Sequence, residues 1–412
     1  MSILITNIKQ LVQTRTHGIS KVSGKEMKEL PLIENAYLLI EHDTIVEYGS
    51  MKNLGGIIAE KTIDATGKVV LPAWCDSHTH LVYAGNREQE FVDKLNGLSD
   101  EEIANRGGGI LNASEMIKNT SEDELYEQAV VRLKNVMQLG TGAIEIKSGY
   151  GISLESELKM LRVIKRLKHD FNLLVRPTFL VSLAVPETFK DNKPGYVDDV
   201  INNLIPEIAK EQLAKYIDLF CEEGFFSLED TDRILEAGVK HGMVPKLHVN
   251  KFNALGGVAL GVKHNARSLD HLEVISPKDI KAIKNSRTMP VALPACSYFS
   301  NLPYTPARDI IDSGLPLAIA SDYNPGTAPS GNMNFIVSTA CIKMKMTPEE
   351  SINAATINGA YAMGAHKMFG SITRGKKANI IITKEIPNYN YLAYAFGDNH
   401  IDTVIINGII VE

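Results

Sequence analysis

The sequence predicts an α/β chain: a (β/α)8 TIM-type barrel with a small composite β-sandwich domain built from both termini. Three features predict it: eight short apolar runs alternating with amphipathic stretches between about residues 66 and 365, β-branched runs at both ends, and a length of 412 residues. Eight strand and helix alternations match such a barrel, typically about 250 residues plus insertions, better than a doubly wound sheet.

In order, the runs are KVVLPAW (68–74), GAIEIK (142–147), LLVRPTFLV (173–181), YIDLFC (216–221), VPKLHV (244–249), SLDHL (268–272), MPVALP (289–294) and PLAIAS (316–321). Their β-branched content and turn-rich flanks read as strands. Between them Ser121 with Glu124, Ser227 with Asp230 and Ser276 with Asp279 resemble capping boxes or their Asp variant, which marks helix starts. Leu154, Leu158, Leu161, Ile164 and Leu167 share one helical stripe and predict a helix laid against the sheet. The segment 75–141 is an insertion between the first and second strands. Its run RGGGI (106–110) reads as a loop, because no strand precedes it at phosphate-loop spacing and no Lys-Ser or Lys-Thr follows. Residues 1–65 and 366–412 carry β-branched runs split by Gly and Asn turns, and neither end alone has enough strands for a core. The two ends are therefore expected to pair into one β domain, leaving 66–365 as the barrel.

Composition narrows the function. Charged residues make up 22% and hydrophobic residues 44%, with 43 basic against 49 acidic side chains and a formal charge of −6. That excludes disordered and collagen-like chains and argues against a nucleic-acid partner, which would call for a concentrated basic face. No run approaches the roughly 18 apolar residues of a membrane helix, so no membrane association is expected. The start, MSILITNIKQLV, lacks the basic region and cleavage site of a secretory signal. Four scattered cysteines give neither a disulfide framework nor a thiolate zinc cluster. A cytoplasmic location is the expectation, and a homodimer is expected from size and symmetry.

Of eleven histidines, four sit at or just past a predicted strand end. His78 and His80 occur in CDSHTHL, His248 in KLHVN and His271 in SLDHLE, and Asp322 ends the eighth strand in IASDYNPG. In a barrel the carboxyl ends of the strands converge on one face. Alternate residues of an extended chain point the same way, so both imidazoles of an H-x-H pair can face one ion. Such a pair alone is weak and often accidental. Joined to His248 and Asp322 it predicts a centre for zinc or a similar ion, with a position open for water. Asp322 is then both ligand and proton acceptor. His271 either orients the water, stabilises the oxyanion, or supports a ligand from behind.

Those motifs, with LPAWCDSHTHLVYAGNRE, EEIANRGGGI, GTGAIEIKSGYG, PYTPARDIIDSGLPLAIASDYNPGTAP and TPEESINAATINGA, resemble the imidazolonepropionase family of the amidohydrolase superfamily through nearly the whole chain. The resemblance implies hydrolysis of the ring amide of 4-imidazolone-5-propanoate to N-formimidoyl-glutamate, a step of histidine degradation, on a small-molecule substrate carrying a carboxylate. It implies that His78, His80, His248 and Asp322 hold zinc or iron, and that Arg87, Tyr150, Asn324, Gly326 and Thr327 contact substrate. The planar fork of Arg87 suits a propanoate tail. The fourth strand has no Lys to bridge two metals, so one ion is expected. Two positions depart from the family: Leu183 stands where it generally has His, and Lys251 where it has Gln or Glu. Lys251 either contacts substrate carboxylate, acts as an acid if desolvation lowers its pKa, or repels the metal. A related amidohydrolase with a shifted cyclic amide or aminated heterocycle, or a ligand-binding pseudoenzyme, are the alternatives.

Overall fold

The computed structural model describes residues 1–181 and 184–411; Leu183, one of the two departures from the family pattern, lies outside the described residues. Eight parallel strands form the barrel: Trp74–Thr79, Thr141–Lys147, Leu174–Leu180, Tyr216–Asp218 continuing as Phe220–Cys221, Val244–Pro245 continuing as Leu247–Val249, Ser268–His271, Met289–Ala292 and Ala318–Ile319. The ring closes beyond the eighth strand. There the Asp322 amide donates to the His78 carbonyl (3.0 Å), the His80 amide donates to the Tyr323 carbonyl (2.8 Å), and Thr79 bridges Tyr323 in parallel. Closure thus brings the eighth strand's exit beside His78 and His80.

The run 68–74, read as the first barrel strand, divides at Ala73. Lys68–Pro72 belongs to the sheet of the chain ends, where it pairs with Ser2–Val12 and Ile380–Glu385. The barrel strand begins at Trp74, so His78 lies on the strand and His80 just past it. In sequence the two strands are one unbroken β-prone run, because a single residue separates them.

Both ends build one mixed eight-stranded sheet around the long strand Ser2–Val12, which bulges between Ile5 and Ile8. Strand alternation gives the sheet two jobs. Val70, Ile380 and Ile382 pack into a core of the sheet's own, whereas their neighbours Val69, Leu71 and Ile381 join the barrel's core.

The helix signals hold in detail. Ser227 and Ser276 form reciprocal capping boxes with Asp230 and Asp279; the Ser121 side chain accepts the Glu124 amide. In the helix Leu154–Asp170 the stripe buries Leu158, Leu161, Ile164 and Leu167, while Leu154, at the first turn, stays 39% exposed. The insertion contributes four helices: Glu88–Leu95, Asp100–Asn105, Gly109–Asn119 and Glu122–Gln138. The glycine run is the turn between the second and third. Gly107 and Gly109 have φ of +84° and +83°, a region L side chains rarely enter, and the helix starts at Gly109 itself. Among the described residues no helix is long and apolar enough to cross a membrane.

Candidate metal centre and active-site cavity

The barrel's alternation turns His78 and His248 inward, and the exits of the first and eighth strands add His80 and Asp322. One ligand atom each from His78, His80 and His248 lies within 4.8 Å of the others. The Asp322 Oδ1 stands 3.5 Å from the His78 Nε2 and 3.6 Å from the His80 Nε2. All four residues are buried. Asp322 takes φ of +54°, and His271 and Leu272 take +89° and +64°. These left-handed, non-glycine conformations are costly, and they turn the chain sharply where the sixth and eighth strands leave the barrel.

The residues fit a cation. Burial, followed by the Lys147 charge and the other imidazoles, holds the His78 pKa well below the usual histidine value; burial and then His248 and Lys147 do the same for His80. Both rings are neutral at pH 7, the state in which imidazole binds metal. Among the described residues the His78 Nε2 has no hydrogen-bond partner although it is buried, a cost that a ligated ion removes. Its Nδ1 is engaged by the Asp270 Oδ2 at 2.6 Å, and the His248 Nδ1 by the Asp218 Oδ1 at 3.1 Å. Each ring therefore presents Nε2 to the centre. Burial raises the Asp322 pKa, although His271, Lys251 and His248 oppose the shift.

His271 stands beside this group, its ring centroid 5.4 Å from that of His248, with Nδ1 held by the Glu273 Oε1 at 3.1 Å. It faces a cavity of about 360 Å³ that opens over the centre, and Arg87, Tyr150, Lys251, Asn324, Gly326 and Thr327 all line that cavity. Their contacts differ. Arg87 pairs bidentately with Glu90, Nε to Oε1 at 2.9 Å and Nη2 to Oε2 at 2.5 Å, and Glu90 also accepts the Gly109 amide. A Cβ on Gly326 would lie 2.4 Å from the Arg87 Nη1, so glycine is what lets the guanidinium approach. Asn324 is occupied locally. Its Oδ1 accepts the Gly326 and Thr327 amides, and its Nδ2 donates to the Asp322 carbonyl and the Thr327 hydroxyl. Tyr150 meets His80 edge-on at 5.6 Å between centroids, and burial pushes up the pKa of its hydroxyl, which stays protonated.

The lowered pKa that an acid role for Lys251 would need is not found. Burial works against its charge, but Cys296, Asp322 and Glu273 outweigh burial, and its pKa is raised rather than lowered.

Sequence reading missed the carboxylates behind the imidazoles, Asp218 and Asp270, and the lysines set among them. The signal was present. Glu145 and Lys147, Asp218, Lys246 and Asp270 are charges inside otherwise apolar strands, and in a barrel an alternate position facing inward is buried.

Residues 69–411 match the amidohydrolase family. A protein of Christiangramia forsetii named imidazolonepropionase is 63% identical over 408 residues, 99% of each chain. One of the same name from Flavobacterium johnsoniae is 61% identical over 411 residues, 100% of each. Among solved structures, guanine deaminase of E. coli superposes with a TM-score of 0.74 at 12% identity, over 100% of this chain and 99% of that one.

Proposed function

The chain belongs to the imidazolonepropionase group of the amidohydrolase family, and from that premise we propose that it hydrolyses the ring amide of 4-imidazolone-5-propanoate to N-formimidoyl-L-glutamate in histidine degradation. The observation that carries the reading is the convergence of three buried imidazoles and a buried carboxylate at the floor of a cavity that also holds Arg87 and Lys251.

His78, His80, His248 and Asp322 would hold one cation, zinc or iron. When bound, it supplies a Lewis acid for the ring carbonyl and lowers the pKa of water to about 7. The remaining chemistry belongs to the chain. Asp322, made more basic by burial, takes the proton of the attacking water and returns it to the ring nitrogen as the carbon–nitrogen bond breaks. His271, with Nδ1 hydrogen-bonded to Glu273, accepts from that water at Nε2 and aims its lone pair at the carbonyl carbon. The Lys251 ammonium gives the cavity the positive charge that a propanoate tail needs, and Arg87, held at the cavity wall by Glu90, donates to the same carboxylate. The neutral Tyr150 hydroxyl donates to the ring from beside His80, and Asn324 shapes the loop that presents Gly326 and Thr327.

The chain is assigned to the cytoplasm, in keeping with four free cysteines, and to a homodimer, which sedimentation will check. The functional test is protein stripped of metal and reloaded with zinc or ferrous iron, followed by loss of imidazolone absorbance and appearance of formimidoyl-glutamate. Metal uptake without turnover would overturn the reading and turn attention to other small cyclic amides.

A further inference from the structure

Beneath the imidazoles lies a layer of charge that the reaction does not consume. The Lys147 Nζ, on the second strand, is 2.7 Å from the Glu145 Oε1, 2.7 Å from the Asp218 Oδ2 and 3.6 Å from the Asp270 Oδ2, with every one of these side chains fully buried. Asp218 and Asp270 are the same carboxylates that hold the Nδ1 atoms of His248 and His78. One ammonium therefore reaches two histidines on different strands through two carboxylates on two others. The second buried lysine is arranged differently: Lys246 pairs with Glu145 and donates to the Ser77 carbonyl.

We propose that Lys147 is a positioning residue for the metal centre: its ammonium, 2.7 Å from the Asp218 Oδ2 and 3.6 Å from the Asp270 Oδ2, holds both carboxylates against the Nδ1 atoms of His248 and His78, so that both rings turn Nε2 to the ion. A carboxylate buried beside an imidazole is held in place by the polar atoms around it, and the ammonium is the contact that Asp218 and Asp270 share. Without that contact either carboxylate can turn away from its ring, and the ligand nitrogen loses its fixed direction. Charges shielded from water act on one another more strongly than at a surface, so an ammonium 2.7 Å from the Asp218 Oδ2 and 3.6 Å from the Asp270 Oδ2 fixes both carboxylates firmly. Thr178 donates to Glu145 at 2.8 Å and Ser268 to Asp270 at 2.5 Å, completing the acceptors' partners without adding charge. The inference rests on the metal reading above and assigns this chain's Lys147 a role in ion affinity rather than in contact with substrate.

The test compares the full-length wild type with Lys147→Met and Lys246→Met, each stripped of metal and titrated with Zn²⁺ against a chromophoric chelator, with thermal unfolding of the stripped proteins in parallel. The expected result is one ion per wild-type chain, binding about 10–100-fold weaker in Lys147→Met, and wild-type affinity in Lys246→Met despite its lost ion pair. Equal affinity of wild type and Lys147→Met overturns the proposal, as does an equal loss in both variants, which would mark a general structural effect of emptying the layer. No uptake by the wild type overturns the metal reading itself and the proposal with it. Where Lys147→Met does not fold, long-range ¹H–¹⁵N spectra of the stripped wild type decide: His78 and His248 protonated on Nδ1 alone support the proposal, and a proton on Nε2 of either ring overturns it.

Discussion

The His78 Nδ1 and the Asp270 Oδ2 lie 2.6 Å apart, both side chains wholly buried, joining the first and sixth barrel strands across 192 residues of sequence. This contact fixes which nitrogen of His78 is left for a ligand, and among the described residues the other ring nitrogen, Nε2, has no hydrogen bond.

Asp270→Asn keeps the shape and removes the charge. The amide is a weaker acceptor and can rotate its NH₂ towards the ring, which favours the wrong tautomer. Metal affinity should fall about 10–100-fold, measured by competition with a chelator, while activity at saturating metal falls less.

Arg87 bears on substrate binding. Arg87→Met removes a charge-assisted contact of about 1.5–3 kcal/mol, so KM should rise about 10–150-fold with a smaller change in kcat. Gly326→Ala should move KM in the same direction, because the new Cβ would stand 2.4 Å from the Arg87 Nη1 and displace the guanidinium. Steady-state kinetics of the two variants checks both.

Lys251 should act as a fixed cation. Its pKa is raised, despite burial, by Cys296, Asp322 and Glu273, so it stays charged below its ordinary titration range and beyond. The pH profile of kcat/KM should show no alkaline limb belonging to Lys251 between pH 6 and 9. Lys251→Met should lower kcat/KM about 10–100-fold across that range, leaving the shape of the profile unchanged.

Lys376 provides a test of stability away from the cavity. It donates to the Phe369 carbonyl (3.1 Å) and the Ser371 hydroxyl (2.7 Å), and burial pushes its pKa down from 10.5 to about 8. Between those two values the unfolded chain binds the proton and the folded chain does not, so stability rises with pH across that window; below pH 8 the buried charge is a standing cost. The cost is at most about 3 kcal/mol. Urea unfolding should show Lys376→Met gaining on wild type at pH 7 by an amount, less the two lost hydrogen bonds, that shrinks as pH approaches 10.5.

Much of this was legible in the amino-acid order, for identifiable reasons. The strands are short apolar runs between turn residues, so their number and order could be read directly. The capping serines carry their own partner three residues on, as Ser227 does with Asp230. The start of the barrel was misread because Lys68–Pro72 and Trp74–Thr79 are separated only by Ala73, and which sheet each strand joins is decided by Ile381 and Leu11 far away in sequence. His78, His80, His248 and Asp322 could be singled out because strand ends converge in a barrel. Asp218 and Asp270 were passed over because each sits in an apolar run that looks like core, and their service to His248 and His78 depends on which strands become neighbours across the barrel. Likewise Arg87 gave no hint of Glu90, a pairing that only the helix beginning at Glu88 creates.

Metal content of the purified wild type and of His248→Ala, measured alongside imidazolone hydrolysis, tests the central claim most directly. The account predicts one ion per wild-type chain, turnover that rises in step with loading, and loss of both in His248→Ala. Full turnover by metal-free wild type, or an undiminished ion in active His248→Ala, would contradict it.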